Sequence, residues 1–405
     1  MKTALLSLFG VVTLSFASTA GAADWSWFRG PTFDGLAAET GWSAQKPREL
    51  WKLSVGAGAS SVVVSQGRLY TMGNVKDADI LYCLDAATGR ELWRHSSPCP
   101  LERRSFEGGT AGTPAVAGER VFTLGQKGDL FAIEAASGKV LWSKNLVKDF
   151  KGARPQWGYA GSPLVEGNHL IVDCGGDGSS TIALDGRTGE LAWKSGDDRA
   201  GYSSPVTWTW NGQRVLLLFK ARALVALAAT TGAELWRFPW KTSFDVNAAS
   251  PIAVGDKVLL SSGYGSGAAL LQGQPREPVV VWQNKNLCNQ MNSSVLVGGQ
   301  LYGISGNAGP AATLNCVDWA SGALKWSQKG IGCGALTAAD NKLIVLTEKG
   351  ELVIAAAAPA GYQELSRTPV LTERCWVAPV ISGGRIYCRS NAGTLVCLDV
   401  QAVGR

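Results

Sequence analysis

Polar and aromatic side chains cluster in this sequence just before a recurring tripeptide of small residues, such as Gly-Ser-Pro at 161–163. Rings and amides together suit a flat, polar ligand, and the oxygens of Asp245, Asn247 and Asn289 are of the kind that a divalent ion prefers. Loops that converge from several repeated units would bring such side chains into one binding site. The candidate binding residues are Arg103, Arg104, Glu107, Arg154, Trp157, Tyr159, Tyr202, Asp245, Asn247, Asn289, Gln290, Asn292, Glu373, Arg374 and Trp376.

No set of side chains indicates a particular catalytic reaction. The chain has two histidines, His95 and His169, in different repeated units, so neither a histidine-based metal centre nor a Ser-His-Asp relay is expected. Hydroxyl residues recur at one place in each unit, which indicates that they bond neighbouring strands and that none is a nucleophile. We therefore assign no catalytic residue and no metal site. The recurring hydroxyl residues are Ser61, Thr113, Ser162, Ser204, Ser250 and Ser294.

The elements that must position these side chains follow from a repeated word. Residues 84–93 read LDAATGRELW, which is an apolar strand end, a turn and a second strand that carries Trp93. The Asp85 carboxylate can accept hydrogen bonds from turn amides, and Gly89 supplies the positive φ that a tight hairpin needs. A repeat of this size indicates a radial or stacked array of units. Related words end at Trp142, Trp193, Trp236 and Trp326.

The spacing of these words predicts a closed ring. Tryptophans at 51, 93, 142, 193, 236, 282 and 326 are 42 to 51 residues apart, which is the length of one four-stranded propeller blade. The last unit lacks its tryptophan strand, whereas residues 49–55 offer a spare one, and pairing the two removes the exposed sheet edges. We predict an all-β, eight-bladed β-propeller of four-stranded blades, the last blade closed by the N-terminal strand. An open solenoid is the competing architecture. The tryptophans are expected to fill the gaps between blades.

The N-terminal residues indicate export. Lys2 is followed by an apolar run at 5–16 and small residues at 20–23, which is typical of a cleaved signal peptide, and the run is too short for a membrane span. We predict a signal peptide at 1–23, an N-terminal strap at 24–48 that packs over the outside of the fold, and a propeller at 49–405. The expected location is periplasmic or extracellular, and no cysteine follows the small residues to carry a lipid anchor.

Composition limits the classes of partner. With 46% hydrophobic and 17% charged residues, the 405-residue chain can bury a large core. The formal charge of +6 comes from scattered residues, so nucleic acid is not an expected partner. The nine cysteines include no C-x-x-C pair, which argues against a c-type haem and a cysteine zinc site, and the strand cysteines are expected to be small buried hydrophobic residues. We expect a monomer.

The repeated units resemble the pyrroloquinoline-quinone (PQQ) type propeller repeat, whose mark is a D-x-x-T-G-x-x-x-W-like word. The resemblance covers residues 49–399. The family includes quinoprotein alcohol dehydrogenases and the outer-membrane assembly factor BamB, which uses the same ring as a binding platform. The lead Phe-Arg-Gly-Pro at 28–31, followed by Asp34 and Gly35, also resembles the start of secreted PQQ-like proteins.

The resemblance implies two kinds of function. Quinoprotein dehydrogenases typically hold the quinone near the ring axis with a calcium or lanthanide ion, an Asp base, a stacked Trp and often a disulfide of adjacent cysteines. This sequence has no adjacent cysteines, and its units are short. We therefore predict a secreted binding scaffold, not an enzyme, for a polar ligand or protein partner at the rim of the central channel. The alternatives are a PQQ-dependent dehydrogenase with PQQ and Ca²⁺, which oxidises an alcohol or sugar, and a BamB-like outer-membrane protein assembly platform.

Overall fold

The computed structural model describes residues 24–103 and 106–401 and arranges them as eight β-sheets in a ring. Each sheet has four antiparallel strands, and one sheet gains a fifth, parallel strand. This confirms the predicted all-β, eight-bladed propeller. The predicted signal peptide at 1–23 lies outside the described residues. In the described part of the chain, no helix is both long and apolar enough to span a bilayer.

The strands of blades one to four follow the order of the chain from the axis outwards. Two strands come before them, β1 (Leu36–Ala37) and β2 (Arg48–Ser54). Blade one contains β3 (Val63–Ser65), β4 (Arg68–Val75), β5 (Ala78–Asp85) and β6 (Glu91–Pro98), and blade two contains β7 (Ala115–Ala117), β8 (Arg120–Leu124), β9 (Asp129–Glu134) and β10 (Val140–Asn145). Blade three contains β11 (Leu164–Glu166), β12 (His169–Gly176), β13 (Ser179–Asp185) and β14 (Leu191–Ser195), and blade four contains β15 (Val206–Trp210), β16 (Gln213–Phe219), β17 (Ala223–Ala228) and β18 (Glu234–Pro239).

Blades five to eight repeat the same plan, and two short helices lie in the connections, α1 (Leu146–Phe150) and a 3₁₀ turn (Ser243–Asp245). Blade five contains β19 (Ile252–Val254), β20 (Lys257–Ser262), β21 (Gly267–Gln272) and β22 (Val279–Asn284), and blade six contains β23 (Val295–Val297), β24 (Gln300–Ser305), β25 (Thr313–Asp318) and β26 (Leu324–Gln328). Blade seven contains β27 (Ala335–Ala339), β28 (Lys342–Leu346), β29 (Glu351–Ala356) and β30 (Glu364–Pro369), and blade eight contains β31 (Val380–Ser382), β32 (Arg385–Arg389) and β33 (Thr394–Asp399).

The ring closes through its N-terminal strand. Strand β2 pairs antiparallel with β33 and places Trp51 opposite Cys397, which confirms the predicted composite blade. The buried Arg389 side chain of blade eight donates hydrogen bonds to the carbonyls of Ser60 (2.7 Å) and Gly56 (3.1 Å) beside blade one. Burial lowers the pKa of Arg389 to about 9. Backbone pairing and a buried guanidinium therefore both hold the closing joint.

The repeated tryptophans lie between blades, as predicted. The indole of Trp93 donates a 3.0 Å hydrogen bond to the Ala135 carbonyl in the next blade. A Cβ at Gly138, which has a φ of +78°, would lie 2.7 Å from the Trp93 ring. The glycine of the word is thus required both by its backbone conformation and by the neighbouring ring. The same contact joins Trp51 to Gly89, Trp142 to Gly189, Trp193 to Gly232 and Trp282 to Gly322.

The hydrophobic core also lies between neighbouring sheets. One cluster joins Leu69 and Ile80 of blade one to Tyr387 and Leu395 of blade eight. All nine cysteines fall within the described residues and are free thiols, and eight of them are buried. This confirms the expectation that the strand cysteines act as small hydrophobic residues.

The recurring hydroxyls link the blades around the axis, which confirms their predicted structural role. The Thr113 hydroxyl accepts from the Ser61 amide, and the Ser162 hydroxyl accepts from the Thr113 amide, both at 2.9 Å. The Ser204 hydroxyl accepts from the Ser162 amide at 2.9 Å. At blade six the acceptor is Ser293 and not the predicted Ser294, since the Ser250 amide donates to the Ser293 hydroxyl at 2.8 Å.

The N-terminal strap lies across one end of the ring and not along its outer wall. Trp25 forms a β-bridge with Val64 of blade one, and the Arg29 side chain donates a 2.7 Å hydrogen bond to the Ser294 carbonyl at blade six. Strand β1 then pairs in parallel with β27 of blade seven. Val64 and β27 belong to the innermost strands of their blades, and Ser294 directly precedes one. The inner edge of each blade leaves carbonyl and amide groups unpaired, and the strap bonds to such groups.

Candidate functional site

A cavity of about 280 Å³ lies on the axis, where the connections between blades meet the starts of the inner strands. Its wall includes three members of the hydroxyl ring, Ser61, Ser162 and Ser204, and Phe28 reaches it from the strap. The rest of the wall comes mainly from the connections into blades two, three, four, five, six and eight. The site is therefore assembled by most of the ring, as the sequence led us to expect.

One side of the cavity mouth is formed by four rings that contact one another. Ring centroids are 5.8 Å apart for Trp157 and Tyr202, 6.2 Å for Trp157 and Phe244, and 5.8 Å for Phe244 and Tyr264. We call this set, Trp157, Tyr202, Phe244 and Tyr264, the aromatic platform. Trp157, Tyr202 and Tyr264 line the cavity itself. The platform thus continues the aromatic wall of the cavity out to the surface.

Phe244 is held in an unusual conformation. Its φ and ψ are 63° and 16°, and the next residue, Asp245, has a φ of 56°. Left-handed backbone is uncommon at a bulky residue and costs about 1–3 kcal/mol at Phe244, whereas aspartate adopts this conformation more readily. The side chain is nevertheless 66% exposed, so burial of its ring within this chain does not offset that cost.

The opposite side of the mouth combines rings with an ion pair. Phe106 and Trp376 meet edge to face at 4.4 Å, and the Arg374 guanidinium lies 4.9 Å from the Trp376 ring centroid. Arg374 also pairs with Glu107 at 3.4 Å. The positive charge of Arg374 is therefore already stabilised by the Phe106 and Trp376 rings and by the Glu107 carboxylate.

The charged groups in the wall are carboxylates with cationic partners behind them. Glu102 accepts two hydrogen bonds from Arg154, at 2.8 and 3.3 Å, and lies 3.7 Å from Lys127. Among the described residues that line the cavity, the charged ones are Glu102 and Glu107. No described lysine or arginine forms part of this wall.

The structure brings part of the predicted set together. The predicted residues that line the cavity are Glu107, Trp157, Tyr202, Gln290, Asn292 and Trp376. Two more, Arg154 and Arg374, lie directly behind them as partners of wall carboxylates. Arg104 lies outside the described residues.

Four predicted residues serve the surrounding loops instead. The Asn247 amide donates to the Lys220 carbonyl at 2.9 Å, and the Asn289 amide donates to the Ile304 carbonyl at 2.8 Å. The Tyr159 hydroxyl donates to the Cys174 carbonyl at 2.9 Å, and burial raises the pKa of Tyr159 above its usual range.

The last of these, Asp245, lies at the mouth and pairs with Arg222 at 3.0 Å and Arg199 at 3.7 Å. The Asn247 side-chain oxygen accepts from the Ser262 hydroxyl at 2.7 Å, and the Asn289 side-chain oxygen accepts from the Ser294 hydroxyl at 3.0 Å. The oxygens of Asp245, Asn247 and Asn289 therefore have separate partners. Within 24–103 and 106–401, no group of three or more His, Cys, Asp or Glu side chains is arranged to hold a metal ion.

Several wall residues were not predicted from the sequence. Phe28, Gln126, Tyr264 and Asn391 line the cavity, although none directly precedes a small-residue tripeptide. Asn391 follows a strand of blade eight, and its side-chain oxygen accepts from the Trp376 amide at 3.1 Å. Gln126 and Asn391 occupy the same place in their blades, two residues before the glycine of the turn that leads into the third strand, so this turn was the available signal for both.

The cavity does not fit pyrroloquinoline quinone. That cofactor carries three carboxylates, so its site needs cationic donors that face the ligand. Among the described residues, the guanidinium groups of Arg154 and Arg374 lie beside the wall and are engaged by Glu102 and Glu107. In the described part of the chain, no cluster of three or more His, Cys, Asp or Glu side chains is arranged to hold an accompanying ion.

Comparisons with known proteins agree with the architecture. The sequence matches the family described as outer membrane protein assembly factor BamB over residues 40–104, 77–328 and 311–404. The BamB structure from Moraxella catarrhalis shares 14% identity with a TM-score of 0.65, over 87% of this chain and 100% of that one. Among curated proteins, none matches significantly.

Quinoprotein enzymes share the same fold. The quinohemoprotein alcohol dehydrogenase ADHIIG from Pseudomonas putida HK5 is 13% identical with a TM-score of 0.64, over 95% of this chain and 81% of that one. The quinohemoprotein alcohol dehydrogenase from Comamonas testosteroni is 14% identical with a TM-score of 0.57, over the same shares of the two chains. At such low identity these similarities establish the fold, and not the activity. They confirm the predicted PQQ-type propeller.

Proposed function

The chain belongs to the outer membrane protein assembly factor BamB family, and on that premise we propose that it is an exported binding protein. Its axial cavity holds a segment of a protein partner, and the ring around the cavity acts as a rigid scaffold. The signal-like residues at 1–23 support export, to the periplasm or the cell exterior.

The composition of the cavity wall carries this proposal. Trp157, Tyr202 and Trp376 supply large rigid rings, and Gln290 and Asn292 supply amides between them. Tryptophan, tyrosine and arginine are the residues that most often dominate protein–protein binding energy. The two histidines of the chain, which would be the usual proton-transfer groups, are not part of the wall.

The size of the cavity supports a side chain or short segment as the occupant. Drug-sized ligands fill cavities of about 300–1,000 Å³, and this one, at about 280 Å³, is slightly smaller. A folded domain could therefore reach it only by inserting a loop or a chain end. The description of the family, which concerns protein assembly, supports a polypeptide partner.

Filling the cavity tests the proposal. Ala160 lines the wall, so an Ala160→Trp variant would occupy the space that the partner needs. The matched control is Ala87→Trp, at an exposed turn of blade one. We expect proteins cross-linked to the wild-type chain in its native periplasm to be retained by Ala87→Trp and lost from Ala160→Trp. Equal capture by both variants would contradict binding at the axial cavity.

Cofactor addition tests the competing dehydrogenase. We expect purified protein that is mixed with PQQ and Ca²⁺ at micromolar concentration, and then desalted, to retain no quinone absorbance. Retained quinone together with dye-linked oxidation of an alcohol would overturn the proposal in favour of the enzyme.

A further inference from the structure

We propose that the axial cavity recognises an extended acidic polypeptide segment through one aromatic side chain. The aromatic ring enters the cavity, and carboxylates that flank it pair with Arg199 and Arg222 at the mouth. This inference rests on the proposed function and specifies the chemistry of its partner. Three features carry it: the exposed ring of Phe244, a cavity wall whose carboxylates are already paired, and the charge at the mouth.

The first feature is the exposed ring of Phe244. Among the large hydrophobic residues that the structure describes, it has the highest exposed fraction. Its ring lies against Trp157 and Tyr264, so one face of the platform is packed and the other is open to a partner. The left-handed backbone at Phe244 and Asp245 places that ring at the mouth. Residues whose backbone strain is not offset by burial of their side chains are concentrated at functional sites.

The second feature is the character of the space behind the platform. Its wall combines rings with small side chains such as Ala160 and Ala248, and its carboxylates already have cationic partners. An anionic group would meet those carboxylates without a free cation, whereas a neutral ring gains edge-to-face contacts. Among the described residues, the side-chain nitrogen of Asn391 has no protein acceptor and remains open to a carbonyl of the incoming segment.

The third feature is the unbalanced charge beside Phe244. The Arg199 and Arg222 side chains are 64% and 62% exposed, and both pair with the one carboxylate of Asp245. Two guanidinium groups therefore share a single negative charge, which leaves donors for a second carboxylate. A segment with acidic residues next to its aromatic side chain matches this arrangement.

Binding of defined peptides tests the chemistry. The probe is a short fluorescein-labelled peptide with one phenylalanine between pairs of aspartates, and fluorescence anisotropy gives its dissociation constant with the full chain. Replacing the phenylalanine by alanine should weaken binding about tenfold or more, and replacing the aspartates by asparagine about fivefold. Equal affinity for all three peptides, or no binding of the parent peptide up to about 1 mM, would overturn the proposal.

Variants of the chain assign these effects to the named residues. Phe244→Ala should weaken binding of the parent peptide about tenfold and leave the alanine peptide unaffected. Arg199→Gln combined with Arg222→Gln should abolish the difference between the aspartate and asparagine peptides. The control is Leu324→Ala, which removes a 45%-exposed leucine on β26 and should change nothing. If Phe244→Ala behaved like this control, the platform would not be the anchor.

The two proposals can fail separately. If Ala160→Trp abolishes partner capture while none of the peptides binds, partner binding at the cavity stands and the acidic aromatic segment is excluded. If the peptides discriminate as expected but capture is unaffected by Ala160→Trp, the peptide site exists and the proposed function of the cavity fails.

Discussion

The outer turns and the axial mouth are built by the same eight blades in opposite ways. In the turns, Asp85, Asp185 and Asp318 each accept hydrogen bonds from the amide and hydroxyl of the residue three positions later. At the mouth, by contrast, each connection supplies a different side chain, such as Trp157 or Tyr202. Contacts that recur from blade to blade stabilise the ring, whereas partly exposed side chains that break the repeat are free to bind a partner.

The comparison has an instructive exception in a buried ion pair. Lys220 occurs in one blade alone, yet its side chain is 1% exposed and its ammonium donates to Asp173 at 2.7 Å. It also donates to the Ser180 carbonyl at 2.9 Å and the Thr181 hydroxyl at 2.8 Å. A residue that breaks the repeat therefore indicates a binding site only where its side chain is also accessible and is not fully engaged by partners within the chain.

Removing that ion pair should have the largest effect on stability. Lys220→Met leaves the Asp173 carboxylate buried without its cation, and breaking a buried pair in this way costs about 3–5 kcal/mol. Denaturant unfolding measures the loss. The double variant Lys220→Met with Asp173→Leu should recover part of the stability, because no buried charge remains; an equal or greater loss would show that the pair itself is not the cause.

Replacing the recurring glycine should cause the second-largest loss of stability. Gly138→Ala places a Cβ 2.7 Å from the Trp93 ring at a φ of +78°, so strain and overpacking together should cost about 2–4 kcal/mol. The control is Gly118→Ala, whose φ is +56° but whose Cβ would have nothing within 4 Å. That variant should lose about 1 kcal/mol from backbone strain alone. Similar losses of unfolding free energy in both variants would contradict a stabilising contact between Gly138 and Trp93.

The hydroxyl ring should contribute less. Thr113→Val removes the acceptor of the Ser61 amide and leaves that buried donor unpaired, which should cost about 1–2 kcal/mol in urea unfolding. Thr32→Val, on the exposed strap, is the control because its hydroxyl bonds only to Asp34 at the surface. A Thr113→Val chain as stable as this control would show that the ring of hydroxyls does not hold neighbouring blades.

Replacing a turn carboxylate should have the smallest effect on the free energy of unfolding, and the effect should appear only at acidic pH. Hydrogen bonds from the Ser321 hydroxyl and amide lower the pKa of Asp318 to about 2. Because the folded pKa lies below the unfolded value, the contribution is complete above pH about 4 and is lost as the pH falls towards 2. Asp318→Asn should therefore flatten the decline of stability between these values. Since the side chain is largely solvated, the change should be small, and an unchanged acid profile would contradict it.

The sequence predicts the ring more completely than the site, for a physical reason. The glycine and tryptophan of each word contact each other between blades, so their spacing reports the blade size and the strand that closes the ring. Phe244 and Tyr264 owe their positions to left-handed backbone, with φ values of 63° and 55°, which no repeated pattern marks. Asn247 and Asn289 are candidate rim residues from the sequence, but their amides bond to loop carbonyls and neither side chain lines the cavity.

Two tryptophans fifteen positions apart provide the most direct test. Trp142 belongs to the repeated word and lies against Gly189 of the next blade, whereas Trp157 lines the cavity. Unfolding free energy and binding of the phenylalanine peptide should be measured for Trp142→Ala and Trp157→Ala. We predict that Trp142→Ala loses about 3 kcal/mol or more and still binds while folded, and that Trp157→Ala loses about 1 kcal/mol or less and no longer binds. The reverse pattern, with Trp157→Ala unfolded early or binding normally, would contradict the account.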